Sequence, residues 1–377
     1  MQQVLHFQAD RIEMVLASHK VPSRVMGGTV TPRLVRYQVS TPLGVRVKQV
    51  ANLSEEIALS LGSKSCRVYR QDGQVQVEVP RTDGRTIHLL PLCRRLATEG
   101  PDGIATVPPI TAVLGLDHDG VPLLLRLPSA NVAHVLLAGT TGSGKTALAR
   151  TIIASLALHN NQRALQLALI DPKGRGFSCF AGLPHLLQPI VTRVEEVPSL
   201  LERLVSEMER RDAEARSAPR LVIVLDELAD LLLSGGKELE ALLTRLTQRG
   251  REAGIHLVAC TQKPAASVIG SLVKSNFPVR LVGSVTSPED AKVATGLAGT
   301  GAERLMGAGD FLVVAKGQTT RMQAAYIEIE EIRELVALLQ EGNHAGRKLL
   351  APPVTHGKNG SSAGLGSRLR SKLHQLK

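Results

Sequence analysis

The run Gly139-Thr140-Thr141-Gly142-Ser143-Gly144-Lys145-Thr146 restricts this chain more than any other feature. It fits a glycine, four free positions and then Gly-Lys-Thr, a pattern that works where a buried strand turns directly into a helix. The glycines let backbone N–H groups curl around phosphate oxygens, and the positive end of the helix adds to the attraction. The run His134–Leu137 supplies the strand, and the helix opens near Lys145. Read this way, residues 139–146 bind ATP, Lys145 reaches the β- and γ-phosphates and the Thr146 hydroxyl ligates Mg²⁺.

The following sequence has the organisation such a loop needs. From about residue 112 to 330, the runs Leu165–Ile170, Leu221–Leu225, Ile255–Ala259, Val279–Val282 and Phe311–Val314 alternate with amphipathic helices. Several are continuously apolar, as strands of a mostly parallel sheet with helices on both faces should be. Leu221–Leu225 runs into Asp226-Glu227, acids at the strand edge where open α/β sheets bind ligands. Asp226 is placed to hold Mg²⁺ through water, and Glu227 to orient and polarise an attacking water as general base. The competing reading is that the two acids cap the next helix. Ile255–Ala259 leads into Cys260-Thr261-Gln262. The Gln262 amide can contact a γ-phosphate and sense its loss, or else mark a surface turn before Pro264.

Upstream, residues 1–105 read as a small α/β subdomain. Ala9–His19 patterns as a helix, Arg33–Ser40 and Gly44–Val50 as strands, and Ser54–Leu61 as a short helix capped by Ser54. Cys66–Arg70 and Val75–Val79 form a strand pair across an Asp72-Gly73 turn. Residues 95–110 are rich in Pro and Gly and are expected to link this subdomain to the ATPase of residues 106–338. Residues 339–377 read as a flexible basic tail.

The net charge is +11. From Arg347 to Lys377 there are seven cations (Arg347, Lys348, Lys358, Arg368, Arg370, Lys372 and Lys377) and no acid, so seven of the eleven excess charges lie in that stretch and the rest of the chain keeps +4. Leu369, Leu373 and Leu376 would form an apolar stripe on a helix, so the tail reads either as a solvated segment or as a docking helix for a protein partner or DNA. With no Trp, three Tyr and five Phe, the chain can hardly build the stacking platforms that hold single strands. Contacts to nucleic acid are therefore expected to run from Lys and Arg to phosphate, independent of sequence. Cys66, Cys93, Cys179 and Cys260 lie far apart without metal-ligand spacing and read as reduced thiols of a cytoplasmic protein. No apolar run is long enough for a membrane span, and the N-terminus lacks the pattern of a signal peptide.

Three further segments go beyond a generic nucleotide site: LIDPKGRGF (169–177), AGLPHLLQPIVT (181–192) and VLDELADLLLSGGKELEALLTRLTQRGREAGIHLVACTQKP (224–264). Together with AGTTGSGKT (138–146), they resemble the motor of the FtsK/SpoIIIE DNA translocases, and residues 29–63 are similar to that family's small α subdomain. The resemblance implies a RecA-like P-loop fold and a homo-hexameric ring around double-stranded DNA, with ATP between subunits. It gives Lys145, Thr146, Asp226, Glu227 and Gln262 the roles derived above and makes Arg251 an arginine finger for a neighbouring subunit. Asp171 and Lys173 match the family's DPK signature, for which the residues themselves suggest only a structural role. Lys263, Lys274 and Lys292 match pore-loop positions that contact the DNA backbone. Lys263 and Lys292 stand where family members usually carry Arg, so charge is kept and the bidentate fork is lost. The family's membrane region and its winged-helix reader of DNA sequence are not expected in this chain.

The leading expectation is an ATP-driven motor for duplex DNA, serving chromosome, plasmid or mobile-element transfer or segregation. A coupling-type ATPase feeding a secretion or conjugation channel is the alternative. An ATP-switched DNA-binding or scaffold protein without motor activity is a third reading, less compatible with a general base and a finger both being present.

Overall fold

The computed structural model describes residues 2–31, 33–63, 65–71, 73–81, 83–98, 107–262 and 276–342. The chain forms two compact units that divide between Thr86 and Ile87. No helix among the described residues is long and apolar enough to cross a membrane.

In the first unit, strands β1 (Arg24–Val30), β2 (Leu34–Ser40), β3 (Arg67–Gln71) and β4 (Gln74–Pro80) form an antiparallel sheet in the order β1-β2-β4-β3. Helices α1 (Gln2–Ser18), α2 (Val47–Ala51) and α3 (Ser54–Ser60) complete it. Val35, Tyr37 and Val39 alternate along β2, and Val75, Val77 and Val79 along β4. These faces meet Ile12 and Leu16 of α1, Val50 of α2 and Ile57 of α3 in one core. The expected strand over Gly44–Val50 is a turn followed by α2. Val47 and Val50 lie one helical turn apart, and both pack on the core, so period three wins over period two in this short run. The cap position of α3 is held by Leu53, which puts Ser54 inside the first turn.

The second unit is a nine-stranded sheet in the order β6-β5-β13-β12-β11-β7-β10-β9-β8. Its strands are β5 (Thr111–Asp117), β6 (Pro122–Arg126), β7 (Val135–Ala138), β8 (Leu165–Ile170), β9 (Arg220–Leu225), β10 (Ile255–Thr261), β11 (Val279–Val282), β12 (Asp310–Ala315) and β13 (Gln318–Ala324). The parallel part runs from β11 through β7, β10 and β9 to β8. Strands β12, β13, β5 and β6 extend it antiparallel. The sheet is thus mixed, with the expected parallel strands forming the half that carries the P-loop.

Each parallel strand feeds two cores by alternation. Val222 and Val224 of β9 and Val258 and Cys260 of β10 face one core. Leu221, Ile223 and Leu225, with Leu257 and Ala259, face the other. Helices α4 (Leu89–Thr98), α5 (Lys145–His159) and α9 (Ile329–Glu341) cover the first face. Helices α6 (Val197–Ala213), α7 (Leu228–Arg249) and α8 (Pro288–Thr295) cover the second. Leu89, Leu92, Cys93 and Leu96 set α4 into the core of the second unit. For that reason the division falls ahead of residue 105, and the expected linker over 95–110 begins inside a helix. Helix α5 is buried almost all round, and its polar residues are satisfied. Thr151 Oγ1 donates to Ala325 O at 2.8 Å, and Ser155 Oγ accepts from Val113 N at 2.8 Å.

Two histidines are buried where β7 and β10 begin. His134 Nδ1 accepts from Leu257 N at 3.0 Å, and His256 Nδ1 lies 3.0 Å from Ala133 O, which fixes it as a donor. Burial, reinforced by the neighbouring His256, lowers the His134 pKa to about 3. Burial lowers that of His256 to about 4. Both imidazoles are therefore neutral in the fold, whereas the unfolded chain takes up protons below about pH 6.5. Their stabilising contribution is complete above that pH. As pH falls from 6.5 toward 4, each is expected to cost about 1.4 kcal/mol per pH unit. His134→Asn keeps an acceptor for Leu257 N and should reduce the acid slope of urea-unfolding free energy between pH 6.5 and 4.5 by up to about 1.4 kcal/mol per pH unit, leaving the share of the other buried histidines. An unchanged slope would remove His134 from this account.

Candidate active site

The loop Gly139–Gly144 leaves β7 at its C-terminal end and enters α5 at Lys145. Gly144 has φ +95, and a Cβ there would lie 2.7 Å from Gly309 N, so both backbone and space demand glycine. At Gly139 a Cβ would lie 2.7 Å from Ser143 Oγ. Ser143 is fully buried. The outer side of the loop rests on two neighbouring segments. Thr140 N and Thr140 Oγ1 donate to Ser284 O at 2.8 and 3.0 Å. Gly142 O and Ser143 O accept from Ala308 N and Gly309 N, both at 2.9 Å.

Asp226 and Glu227 follow β9, adjacent to this loop. Lys145, which is 4% exposed, donates from Nζ to Asp226 Oδ1 at 3.1 Å and lies 3.9 Å from Glu227 Oε2. Burial works against the Lys145 ammonium, but the surrounding acidic groups outweigh it and its pKa is raised. Burial also holds the neighbouring Cys260 thiol at about 12. Glu227 occupies the cap position of α7, but its side chain makes no capping hydrogen bond. Instead Oε1 accepts from Gln262 N at 3.0 Å and Thr261 Oγ1 at 3.3 Å. The reading of Glu227 as a simple helix cap is thereby replaced by a tie between two strand ends. Glu227 also has φ +59 and ψ +64, a left-handed conformation that costs a non-glycine residue on the order of 1 kcal/mol or more. Gln262 Oε1 accepts from Thr141 Oγ1 at 3.2 Å, linking the strand after Glu227 to the phosphate-binding loop.

The opposite wall is the loop after β8. Asp171 is fully buried, and its Oδ2 accepts from Gly176 N and Phe177 N at 2.8 and 2.9 Å. Its Oδ1 is buried without a hydrogen-bond partner. Arg150 of α5 clamps the same loop by donating to Gly176 O at 2.6 Å and Arg175 O at 2.9 Å. A Cβ on Gly176 would lie 3.3 Å from Asp226 Oδ2 and 3.4 Å from both Asp171 Oδ2 and Thr146 Cγ2. Thr146 and Asp226 therefore converge beside Gly176. Thr146 approaches there through its Cγ2 methyl, and a threonine hydroxyl with the Asp226 carboxylate is a donor pair that would suit a hard cation such as Mg²⁺. Lys173 lies 3.8 Å from Glu227 Oε2 and 3.1 Å from Asp230 Oδ2, carrying the charge network to the surface.

The structure thus brings together Gly139–Thr146, Asp226, Glu227 and Gln262. Arg251 is elsewhere, in the turn between α7 and β10, 42% exposed and 3.8 Å from Glu252. Strand β10 separates it from Gln262 by about 20 Å, at about 3.3 Å per residue. Lys292 is exposed on α8. Lys263 and Lys274 lie outside the described residues. The sequence reading missed the Arg150 clamp and the two supporting segments at Ser284 and Gly307–Asp310. The glycine-rich MGAGD run (306–310) was the available signal for the latter.

The profile of the FtsK/SpoIIIE family matches residues 105–217 and 212–266, and that of the FtsK alpha domain matches residues 1–81. The chain belongs to the FtsK/SpoIIIE family. The DNA translocase FtsK of Staphylococcus epidermidis is 33% identical over 365 residues, covering 89% of this chain and 44% of the relative. The DNA translocase SftA of Bacillus subtilis is 32% identical over 356 residues, covering 88% and 36%. The chain therefore spans less than half the length of these curated relatives. Among solved structures, the pCW3 conjugation coupling protein TcpA, in a monomer form with ATPγS, aligns with a TM-score of 0.57 at 19% identity. That alignment covers 87% of this chain and 99% of TcpA, so the fold is shared nearly end to end. The FtsK/SpoIIIE match spans every residue of the loop–carboxylate cluster, from Gly139 to Gln262.

Lys145→Ala removes the cation held between Asp226 and Glu227. Hydrogen bonds to charged groups contribute about 1.5–3 kcal/mol. ATP affinity should accordingly drop tenfold or more. Equilibrium binding of a fluorescent ATP analogue measures this, and a Kd within twofold of the parent would exclude Lys145 from nucleotide binding.

Proposed function

We propose that this chain is an ATP-hydrolysing motor that translocates double-stranded DNA through a homo-hexameric ring, in the transfer or segregation of chromosomal, plasmid or mobile-element DNA. Membership of the FtsK/SpoIIIE family supports the motor. The observation that carries the ring is the separation of Arg251 from the nucleotide cluster. An arginine about 20 Å from its own site cannot serve it, but it can serve the site of an adjacent copy.

In this reading residues 139–146 bind ATP, with Lys145 on the β- and γ-phosphates. Mg²⁺ held by Thr146 and Asp226 would offset phosphate charge. Glu227, fixed by Gln262 N and Thr261 Oγ1, orients the attacking water and accepts its proton. Gln262 bridges this base to Thr141 of the phosphate loop, so loss of the γ-phosphate is felt at the end of β10. Lys263, Lys274 and Lys292 contact the DNA backbone, which makes binding independent of sequence and sensitive to salt. The near absence of aromatic residues favours duplex over single strands.

Steady-state ATPase activity should rise with long linear duplex DNA, rise less with single strands, and fall at least 100-fold in Glu227→Gln while ATP binding persists. ATPase that is robust and indifferent to DNA would replace the DNA motor with a coupling-type ATPase acting on another cargo. Arg251→Ala and Lys145→Ala should each be nearly inactive alone, since an arginine finger contributes about 10³–10⁵ in rate. Mixed together, they should regain part of the activity, because some interfaces pair an intact Lys145 with an intact Arg251. Absence of rescue at every mixing ratio would rule out the role of Arg251 on a neighbour.

A further inference from the structure

The phosphate-binding loop is held from outside by the excursion between β11 and β12, residues 283–309. The excursion meets the loop at both its ends. At its start Gly283 N donates to Ala138 O at 2.8 Å, and Ser284 O accepts from Thr140. At its finish Ala308 N and Gly309 N meet Gly142 O and Ser143 O. The second contact sets direction. In a trans peptide the C=O and the following N–H point opposite ways. Drawing the Ser143 carbonyl outward therefore turns the Gly144 N–H to the other side of the loop.

This support is itself strained. Gly307, Ala308 and Gly309 take φ of +71, +47 and +91, and Ala308 has a Cβ to accommodate. A conformation of this kind persists only where its surroundings over-determine it. Here they do. Asp310 is 3% exposed, and Arg321 of β13 is 8% exposed. Arg321 donates to Asp310 through Nε at 2.8 Å and Nη2 at 2.6 Å, a bidentate pair. Asp310 Oδ2 also accepts from Met306 N at 2.9 Å, closing the turn across the three left-handed residues. Gln323 Nε2 donates to Ala308 O at 3.1 Å, and Ala324 N donates to Gly309 O at 2.7 Å.

We infer that the buried Asp310–Arg321 pair is a positioning element for ATP, acting through residues 307–309 on the orientation of the phosphate-binding loop without touching nucleotide. The inference rests on the ATP site proposed above. It predicts lost affinity rather than lost chemistry, because Glu227 and Asp226 stand on other strands.

The test uses the full chain, with ATPγS binding, ATPase kinetics and thermal unfolding without nucleotide. Asp310→Asn weakens the pair, and Gln323→Leu removes the bond from Gln323 Nε2 to Ala308 O. The double variant Asp310→Leu/Arg321→Met replaces the ions with apolar groups, an exchange that buried pairs often tolerate. The double variant should bind ATPγS about tenfold more weakly and show a similarly raised KM for ATP. Its kcat should stay within threefold of the parent and its unfolding temperature within a few degrees. Arg321→Lys keeps the charge without the fork and should fall between. A folded double variant with ATPγS affinity within twofold of the parent overturns the inference, as does a loss confined to kcat. A parent chain that fails to bind ATPγS would instead sink the ATPase reading itself.

Discussion

Parallel hydrogen-bond register is the constraint from which the remaining organisation follows. Ala138 stands opposite Thr261 on one side and Val282 on the other, Leu225 stands opposite Ala259, and Ile170 stands opposite Leu225. These strands therefore end nearly in line, and what leaves them is Gly139, Gln262, Gly283, Asp226 and Asp171. Five chain segments far apart in sequence reach one edge because their backbones are locked together. The lock holds because each strand contributes alternate residues to two separate cores. A slip of one residue on β9 would exchange Val222 and Val224 for Leu221, Ile223 and Leu225 and turn both faces inside out. Packing thus protects the register, and the register places the chemistry.

At that edge the structure tolerates an unusual density of charge. Lys145 and Glu227 are almost fully buried and Asp226 nearly so. Removing such groups from water is costly unless each finds partners. Lys145 lies between both carboxylates, and Glu227 takes two further donors from the end of β10. Lys173 and Asp230 then continue the alternation of sign into solvent. A site arranged in this way is preorganised, since its dipoles and charges already point inward before substrate arrives.

How much of this was legible in the sequence depended on how local each signal was. Gly139–Thr146 and Asp226-Glu227 announce themselves because their chemistry sits on consecutive residues. The apolar runs of β8, β9 and β10 were readable because burial on both faces leaves few polar interruptions, Gln166 and His256 among them. Strand β13, Gln318–Ala324, was not, since its polar composition resembles a loop and its antiparallel pairing with β12 and β5 makes it a strand. Helix α4 was obscured by the Pro/Gly-rich stretch that follows it. The contribution of Asp310 and Arg321 was equally hidden, because an ion pair eleven residues apart acquires meaning only when its turn lies against a loop from residue 142. Arg251 lay between these cases: family resemblance singled it out, and only the length of β10 showed how far it stands from the glycine-rich loop of its own chain.

The left-handed backbone at Glu227 carries a consequence for how this protein can change. Its carboxylate is set between Lys145 and the end of β10 by a conformation that glycine would adopt without strain and asparagine with little. Any such replacement would relieve the torsion but would also take one carboxylate away from the buried Lys145 and an acceptor away from Gln262 N and Thr261 Oγ1. The torsional cost at this position is thus set against the charge and hydrogen bonds of the side chain that it positions.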